Sequence, residues 1–211
     1  MNLFKTVAST LLLCLALPAG AFAMTPARPV LLLGDSLSSA HRIPTESGWV
    51  HLLDRRLKAT DPSAPALVNA SRAGKTLADG IAELPTLLAR YHPQAVILEL
   101  GGNDAYLGAS DAQLRQNLDR LIDTARKAGA RVAVLGFELP PKLDHDHCGS
   151  RLRAVYAQVA QDRHVVFLPS LMAGISDKPA LLLDDGVHPA VAAQHQIVDN
   201  VWSTLRPFVL D

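Results

Sequence analysis

Short apolar runs alternate with longer segments of helical period along most of this chain. Several of the runs are apolar without interruption, which is typical of parallel strands that are buried on both faces. The runs predict strands at Val30–Leu33, Leu67–Asn69, Ala95–Leu100, Arg131–Phe137 and Val165–Leu168.

The segments between these runs repeat apolar residues at helical spacing. Pro85 lies inside the second segment and predicts a kink or a restart, whereas Gly129, just past the third, is a suitable C-cap. Strands and helices in alternation indicate a single α/β domain. The predicted helices are Trp49–Ala59, Leu77–Tyr91, Leu114–Ala128, Arg151–Gln161 and Val191–Leu205.

The first 23 residues have the features of a signal peptide. Lys5 is their only charge, Leu11–Leu17 is a short apolar core, and Ala21-Phe22-Ala23 matches an A-x-A cleavage site. A membrane span needs about 20 apolar residues, so we expect cleavage after Ala23 and no stable membrane anchor. The mature protein would be one domain, residues 24–211, in the periplasm or outside the cell.

Charge and cysteine content narrow the range of functions. The predicted signal peptide holds one of the 20 basic residues and none of the 20 acidic ones, so the mature chain is nearly neutral. A nucleic-acid-binding protein would carry a basic surface, so we expect no nucleic-acid partner. Cys148 is the single cysteine left after cleavage, which excludes an internal disulfide. We expect a monomer.

Candidate chemistry begins where the first predicted strand runs into Gly34-Asp35-Ser36. A serine hydroxyl becomes a nucleophile only when a base takes its proton and an acid orients that base. Near the other end of the chain, Asp185 precedes His188 by three residues, so one loop can hold both side chains in contact. The candidate catalytic triad is therefore Ser36, His188 and Asp185.

Further polar positions follow the second and third predicted strands, at Gly74 and Asn103. The loops at the carboxyl ends of parallel strands converge, so we expect both residues beside Ser36. A tetrahedral intermediate requires donors that already point at its oxyanion. The backbone N–H groups of Ser36 and Gly74 and the side-chain amide of Asn103 are the candidate donors.

Two acidic residues near the strand ends receive structural interpretations. Asp35 is expected to stabilise the turn at Ser36 through hydrogen bonds from its side chain to the backbone. Glu99 lies in an apolar strand, where an unpaired carboxyl is costly, so it should have a hydrogen-bond partner. We assign neither residue to catalysis.

Four segments, in this order, resemble the sequence blocks of the GDSL, or SGNH, serine hydrolase family: Gly34-Asp35-Ser36-Leu37, Gly74, Gly102-Asn103-Asp104 and Asp185-x-x-His188. The similarity covers nearly the whole mature chain. It is greatest to exported bacterial members that act as acyl-CoA thioesterases, lysophospholipases and arylesterases. The chain departs from the family pattern near the predicted site, at His41, Arg72 and Lys75.

The resemblance implies a flavodoxin-like three-layer α/β/α sandwich around a five-stranded parallel sheet. It also implies that Ser36 is the nucleophile, His188 the base and Asp185 its orienter, with Ser36, Gly74 and Asn103 as oxyanion donors. No cofactor or metal is implied. The α/β-hydrolase fold fits less well, because its G-x-S-x-G elbow would place a glycine where this chain has Ser38.

The segment Asp144–Cys148 contains two histidines, two aspartates and a cysteine, which are residue types that bind zinc. A structural zinc site usually draws ligands from more than one segment, and the sequence offers no second cluster of this kind. We therefore expect the segment to border the active site and to influence substrate preference.

The sequence thus predicts an exported serine esterase and thioesterase that hydrolyses fatty-acyl esters and thioesters through an acyl-enzyme on Ser36. Its partner would be a small-molecule acyl ester or thioester. Two alternatives stay open. One is a carbohydrate O-deacetylase with the same catalytic residues and a short acyl pocket, and the other is an exported metal- or ligand-binding protein that uses Asp144–Cys148.

Overall fold

Five parallel strands form the centre of the structure, a computed structural model that describes residues 28–141, 144 and 147–211. The strands are β1 (Val30–Gly34), β2 (Leu67–Asn69), β3 (Ala95–Glu99), β4 (Arg131–Leu135) and β5 (Val166–Leu168), in the spatial order β2-β1-β3-β4-β5. Every residue of β1 and β3 is buried, as expected for apolar strands at the centre of a parallel sheet.

Within the described residues, six α-helices surround the sheet: α1 (Trp49–Thr60), α2 (Leu77–Tyr91), α3 (Gly102–Tyr106), α4 (Asp111–Lys127), α5 (Cys148–Arg163) and α6 (Gln194–Leu210). Helix α1 packs against α6, and α4 packs against both α2 and α5. The five-stranded parallel sheet and the α/β class predicted from the sequence are confirmed, with helices covering the sheet.

Helix α3 was not predicted, and α4 and α5 each begin three residues before their predicted starts. Two other helices also differ from their predictions. Helix α2 is continuous from Leu77 to Tyr91, so Pro85 does not restart it. The predicted last helix begins as a short 3₁₀ turn, Val191–Ala193, and α6 then continues to Leu210. Gly129 follows α4 with φ +76°, and Ala130 N–H bonds back to Ala125 O, which is the cap expected of this glycine.

The strand order places the ends of β1 and β3 side by side. From β1 the chain continues to β2 at one edge of the sheet, whereas from β3 it continues to β4, toward the other edge. In such sheets a crevice opens at this point, beyond the carboxyl ends of the strands. Gly34 ends β1 there, and a Cβ at this position would come within 3 Å of Glu99, Ser38 and Ser71. Glycine is therefore required for the close approach of these segments.

The predicted signal peptide and its cleavage site after Ala23 lie outside the described residues. Among the helices of the described part, none is long and apolar enough to cross a membrane.

Candidate active site

Ser36 lies in the turn that follows β1. The preceding Asp35 accepts a hydrogen bond from Leu37 N–H at 3.0 Å, and its backbone carbonyl accepts one from Ser39 N–H at 3.1 Å. The Trp49 indole N–H donates to Leu37 O at 3.0 Å. These bonds fix the backbone on both sides of Ser36, and they confirm the structural role expected for Asp35.

The loop before α6 brings His188 to Ser36. His188 Nε2 lies 2.9 Å from Ser36 Oγ, and His188 Nδ1 lies 2.9 Å from Asp185 Oδ2. The other carboxylate oxygen of Asp185 accepts the backbone N–H groups of Val187 and His188 at 2.8 and 2.9 Å. The three side chains predicted to act together therefore form one continuous series of hydrogen bonds.

Asp185 is held in its ionised form. Partial burial opposes ionisation, but the backbone N–H groups of His188 and Val187 and the His188 ring outweigh it, so the pKa of Asp185 falls to about 2. Arg42 also lies beside this carboxylate, with Nη1 at 3.3 Å from Asp185 Oδ2 and at 2.7 Å from Asp184 Oδ1. Asp185 can thus orient His188 as an anion throughout the neutral range.

A second imidazole packs beside the first. The ring centroids of His41 and His188 are 4.7 Å apart, with the planes tilted by 55°. Burial, followed by the charge on His188, lowers the pKa of His41. His41 is therefore disposed to stay neutral when His188 takes a proton, because two adjacent imidazolium ions would repel each other.

Asn103 lies in the first turn of α3, beyond β3, and its side-chain amide contacts two other segments. Asn103 Nδ2 donates to Lys75 O at 2.9 Å and to Asp35 Oδ2 at 3.2 Å. Asp35 is the residue before Ser36, so the amide is placed next to the serine. This contact between Asp35 and Asn103 was not predicted from the sequence.

Gly74 lies in the loop between β2 and α2, with φ +76°. It is exposed, and it is not among the residues that line the cavity at Ser36. Its neighbour Lys75 accepts the hydrogen bond from Asn103. The structure thus brings Asn103 directly to the site and Gly74 only to its edge.

Two carboxyl groups are buried beneath Ser36. Asp35 and Glu99 are 4% and 2% exposed. Glu99 Oε2 accepts a hydrogen bond from the Ser38 hydroxyl at 2.7 Å, which confirms that Glu99 has a partner. Burial raises the pKa of Glu99 well above its ordinary range, and the nearby charge of Asp35 raises it further. Burial also raises the pKa of Asp35, although the hydrogen bond from Leu37 opposes this.

A cavity of about 400 Å³ opens beside Ser36 and His188. Its apolar wall comes from Leu37, Tyr106, Phe137, Leu139 and Val187. Apart from Leu37, which belongs to the motif at Ser36, the sequence did not identify these residues as part of the site. Phe137 and Leu139 follow β4 at the same edge of the sheet. The surface beside Ser36 and His188 is therefore largely apolar.

A second cavity, of about 450 Å³, shares Glu138 and Leu139 with the first. Asp144 and His147 also line it, so the described part of the 144–148 segment does lie near the site. His145 and Asp146 are outside the described residues. Among the residues that are described, no three His, Cys, Asp or Glu side chains cluster in a way that could hold a metal ion.

Comparisons with known proteins identify similar chains. Residues 32–196 match the model of the GDSL-like Lipase/Acylhydrolase family. Esterase TesA of Pseudomonas aeruginosa is 42% identical over 183 residues, covering 87% of this chain and 90% of the relative. Thioesterase 1/protease 1/lysophospholipase L1 of Escherichia coli K12 is 34% identical over 188 residues, covering 89% and 88%. A crystal structure of TesA matches with a TM-score of 0.80 at 41% identity, covering 85% of this chain and 98% of that one.

Proposed function

Because this chain belongs to the GDSL-like lipase and acylhydrolase family, we propose that it is an exported enzyme that hydrolyses fatty-acyl esters and thioesters through an acyl-enzyme on Ser36. Its family and relatives establish the coarser statement, that it is a serine hydrolase of ester and thioester bonds. The proposed acyl-enzyme on Ser36 is carried by one observation, the unbroken hydrogen-bond series from Ser36 through His188 to Asp185.

In the proposed acylation step, Ser36 Oγ attacks the carbonyl carbon of the substrate while His188 Nε2 takes the hydroxyl proton. His188 then gives that proton to the departing alcohol or thiol, and the acyl group stays on Ser36. A water molecule repeats the sequence and releases the fatty acid. Asp185 stabilises the imidazolium that forms transiently on His188. It also accepts a hydrogen bond from His188 Nδ1, which keeps the proton of the neutral ring on that nitrogen.

The negative charge that develops on the carbonyl oxygen needs donors within hydrogen-bond reach. We assign this role to the backbone N–H groups of Ser36 and Gly74 and to the Asn103 amide. In the free enzyme that amide contacts Asp35 Oδ2 at 3.2 Å, the longer of its two bonds. The oxyanion would take over this N–H, while the shorter bond to Lys75 O keeps the amide in place.

The proposed substrate class rests on the cavity at Ser36. A space of about 400 Å³ with five apolar residues in its wall can bury several methylene groups, each worth about 0.8 kcal/mol. This favours a fatty-acyl group over the acetyl group of a carbohydrate ester. The relative named as a lysophospholipase supports the same class.

Export rests on the composition of residues 1–23 alone. We propose that the mature enzyme, residues 24–211, is a monomer without a stable membrane anchor in the periplasm or outside the cell. N-terminal sequencing of the enzyme from fractionated cells tests this, with Met24 expected as the first residue. An intact Met1 in the cytosolic fraction would contradict it.

A fluorophosphonate probe tests the acyl-enzyme. We expect stoichiometric labelling at Ser36, located by peptide mass spectrometry, together with loss of turnover. Ser36→Ala and His188→Ala should each lower kcat by about 10⁴-fold or more, because the triad residues act as a unit. Ser203→Ala, at an exposed position on α6, is the control and should be labelled like the wild type. Labelling at another serine would refute the assignment.

Aryl esters, acyl-thioesters and lysophospholipids of graded chain length test the substrate class. We expect kcat/KM to rise with chain length until the cavity is filled. If acetyl esters were turned over and longer esters were not, the carbohydrate O-deacetylase would be the better description. Tight zinc binding without turnover that depends on Ser36 would favour the metal-binding alternative.

A further inference from the structure

Lys75 is a buried lysine that the proposed mechanism does not use. Its exposed fraction is only 1%. Lysine is rarely buried to this extent unless its ammonium has a partner. Its ammonium donates to Glu83 Oε2 at 2.6 Å and to Ala70 O at 2.7 Å. Burial of a charge is costly unless it is paired in this way, so these two contacts determine where the side chain can lie.

The bond from Lys75 to Ala70 closes the loop that joins β2 to α2. Lys75 N–H also donates to Arg72 O at 3.2 Å. The start of the same loop is bonded to β1, since Ala70 N–H donates to Leu32 O at 2.8 Å and Arg72 N–H donates to Gly34 O at 3.2 Å. The loop is therefore joined to the strand that leads into Ser36.

The bond from Lys75 to Glu83 joins this loop to α2. Glu83 lies in the second turn of that helix and is partly exposed, and Arg72 Nη2 approaches its other oxygen at 3.4 Å. The hydrogen bond from Lys75, opposed by partial burial, lowers the pKa of Glu83. The Glu83 carboxylate therefore stays ionised at neutral pH and remains an acceptor for Lys75.

The backbone of Lys75 faces the site. Its carbonyl accepts the 2.9 Å hydrogen bond from Asn103 Nδ2, and Gly74 is the residue before it. The two proposed oxyanion donors outside the serine turn are thus adjacent to Lys75, one in sequence and one through a hydrogen bond. The ammonium is held at two points, and the backbone N–H and carbonyl of Lys75 are each hydrogen-bonded, so both ends of the residue are restrained.

We propose that Lys75, paired with Glu83, is a positioning residue that sets the geometry of the oxyanion hole. It touches no substrate. It acts by holding the carbonyl that orients the Asn103 amide and by holding the peptide that presents Gly74. This inference rests on the proposed function, because it presumes an oxyanion formed at Ser36.

The test compares Lys75→Met with the wild type on a short aryl ester. Methionine keeps much of the length and the apolar volume but removes the charge and both hydrogen bonds. We expect kcat to fall by about ten- to a hundredfold, less than for loss of a donor, while KM changes by less than about twofold. Affinity for an alkyl boronic acid, which forms a tetrahedral adduct with the serine, should fall in proportion to kcat.

Four further variants make the result specific. Arg72→Met removes the exposed cation on the same Glu83 and should leave kcat within about twofold. Lys75→Arg should restore part of the loss, since guanidinium can reach the same acceptors. The double variant Glu83→Gln with Lys75→Met should have the same kcat as Lys75→Met alone, because each change breaks the same Lys75–Glu83 interaction. Glu83→Gln alone should lower kcat by a smaller factor, because Glu83 is partly exposed. It replaces Lys75→Met as the test if that variant does not fold.

Two outcomes would overturn the proposal. One is an unchanged kcat in folded Lys75→Met. The other is a loss in which KM, kcat and thermal stability all shift together and boronic acid affinity follows KM, as expected of a purely structural residue. Ser36→Ala in parallel separates the two proposals. If it retains turnover, the proposed function fails, whereas if it is inactive and Lys75→Met is normal, only the positioning role fails.

Discussion

The Asn103 amide nitrogen contacts Asp35 Oδ2 and Lys75 O, so its position depends on three segments of the chain. If it also stabilises the oxyanion, Asn103→Ala should lower kcat by about 10²- to 10³-fold. KM should change much less, because the donor acts chiefly in the transition state. Steady-state kinetics on a short aryl ester measures both constants. An unaltered kcat would exclude Asn103 from the site.

The buried Glu99 side chain predicts how the free energy of unfolding depends on pH. Its pKa in the folded protein is raised by burial, so between its ordinary pKa and the raised one only the unfolded state releases the proton. The free energy of unfolding therefore falls as pH rises through this window, by at most about 1.4 kcal/mol per pH unit for one proton. Below the ordinary pKa, both states are protonated and the effect vanishes.

Glu99→Gln removes this titration and keeps an oxygen for the Ser38 hydroxyl. We expect the stability of the variant relative to the wild type to increase from pH 5 to pH 8. Urea denaturation at both values measures the difference. A relative stability that stays constant, or that decreases with pH, would show that Glu99 is ionised in the folded protein.

Among the elements, helix α3 shows how local chain geometry serves the site. Gly101 precedes it with φ +100°, and a Cβ there would overlap the Tyr156 hydroxyl, which donates to Leu100 O at 2.8 Å. The five-residue helix that follows carries Asn103, and Asp104 in it accepts a hydrogen bond from Leu77 N–H at 2.9 Å. The start of α3 thus depends on a glycine.

Gly101→Ala should lower the free energy of unfolding by at least about 3 kcal/mol, because it combines a left-handed backbone with a steric overlap in the core. Tyr156→Phe in the same chain should recover part of this loss by removing the hydroxyl. Gly108→Ala is the matched control, since Gly108 also has positive φ but no atom within 4 Å of the added methyl. Equal losses at the two glycines would contradict the steric explanation.

At the scale of the whole molecule, the two cavities share a wall formed by Glu138 and Leu139. Replacement of Asp144 through His147 by Gly and Ser should change the ratio of kcat/KM between short and long acyl substrates. One methylene in an apolar pocket is worth about 1–3 kcal/mol, so the change in this ratio should be modest.

The same loop variant should still hydrolyse the smallest ester, and chelators should not affect the activity of the wild type. Equal losses of several orders of magnitude on all substrates would show that the segment is structural or catalytic.

The sequence by itself determined the strands, most helices and the candidate triad. Strand and helix periods are local, so five apolar runs were enough to predict a parallel α/β sheet. The candidate triad could be predicted because Asp185 and His188 are close in sequence, and because the carboxyl ends of parallel strands lie at one edge of the sheet. The GDSL family resemblance, also visible in the sequence, is confirmed by the matches to known proteins.

Only the tertiary structure decided the surroundings of those residues. Helix α3 was missed because Gly101 and Gly102 predict a turn, whereas contacts with distant segments stabilise a helix there. The hydrogen bonds of Asn103 to Asp35 and Lys75, and the burial of Lys75 against Glu83, join residues that no periodic pattern connects. The apolar wall at Phe137 and Leu139 was likewise not predicted. Such contacts depend on how separate elements pack against one another, which local spacing along the chain does not encode.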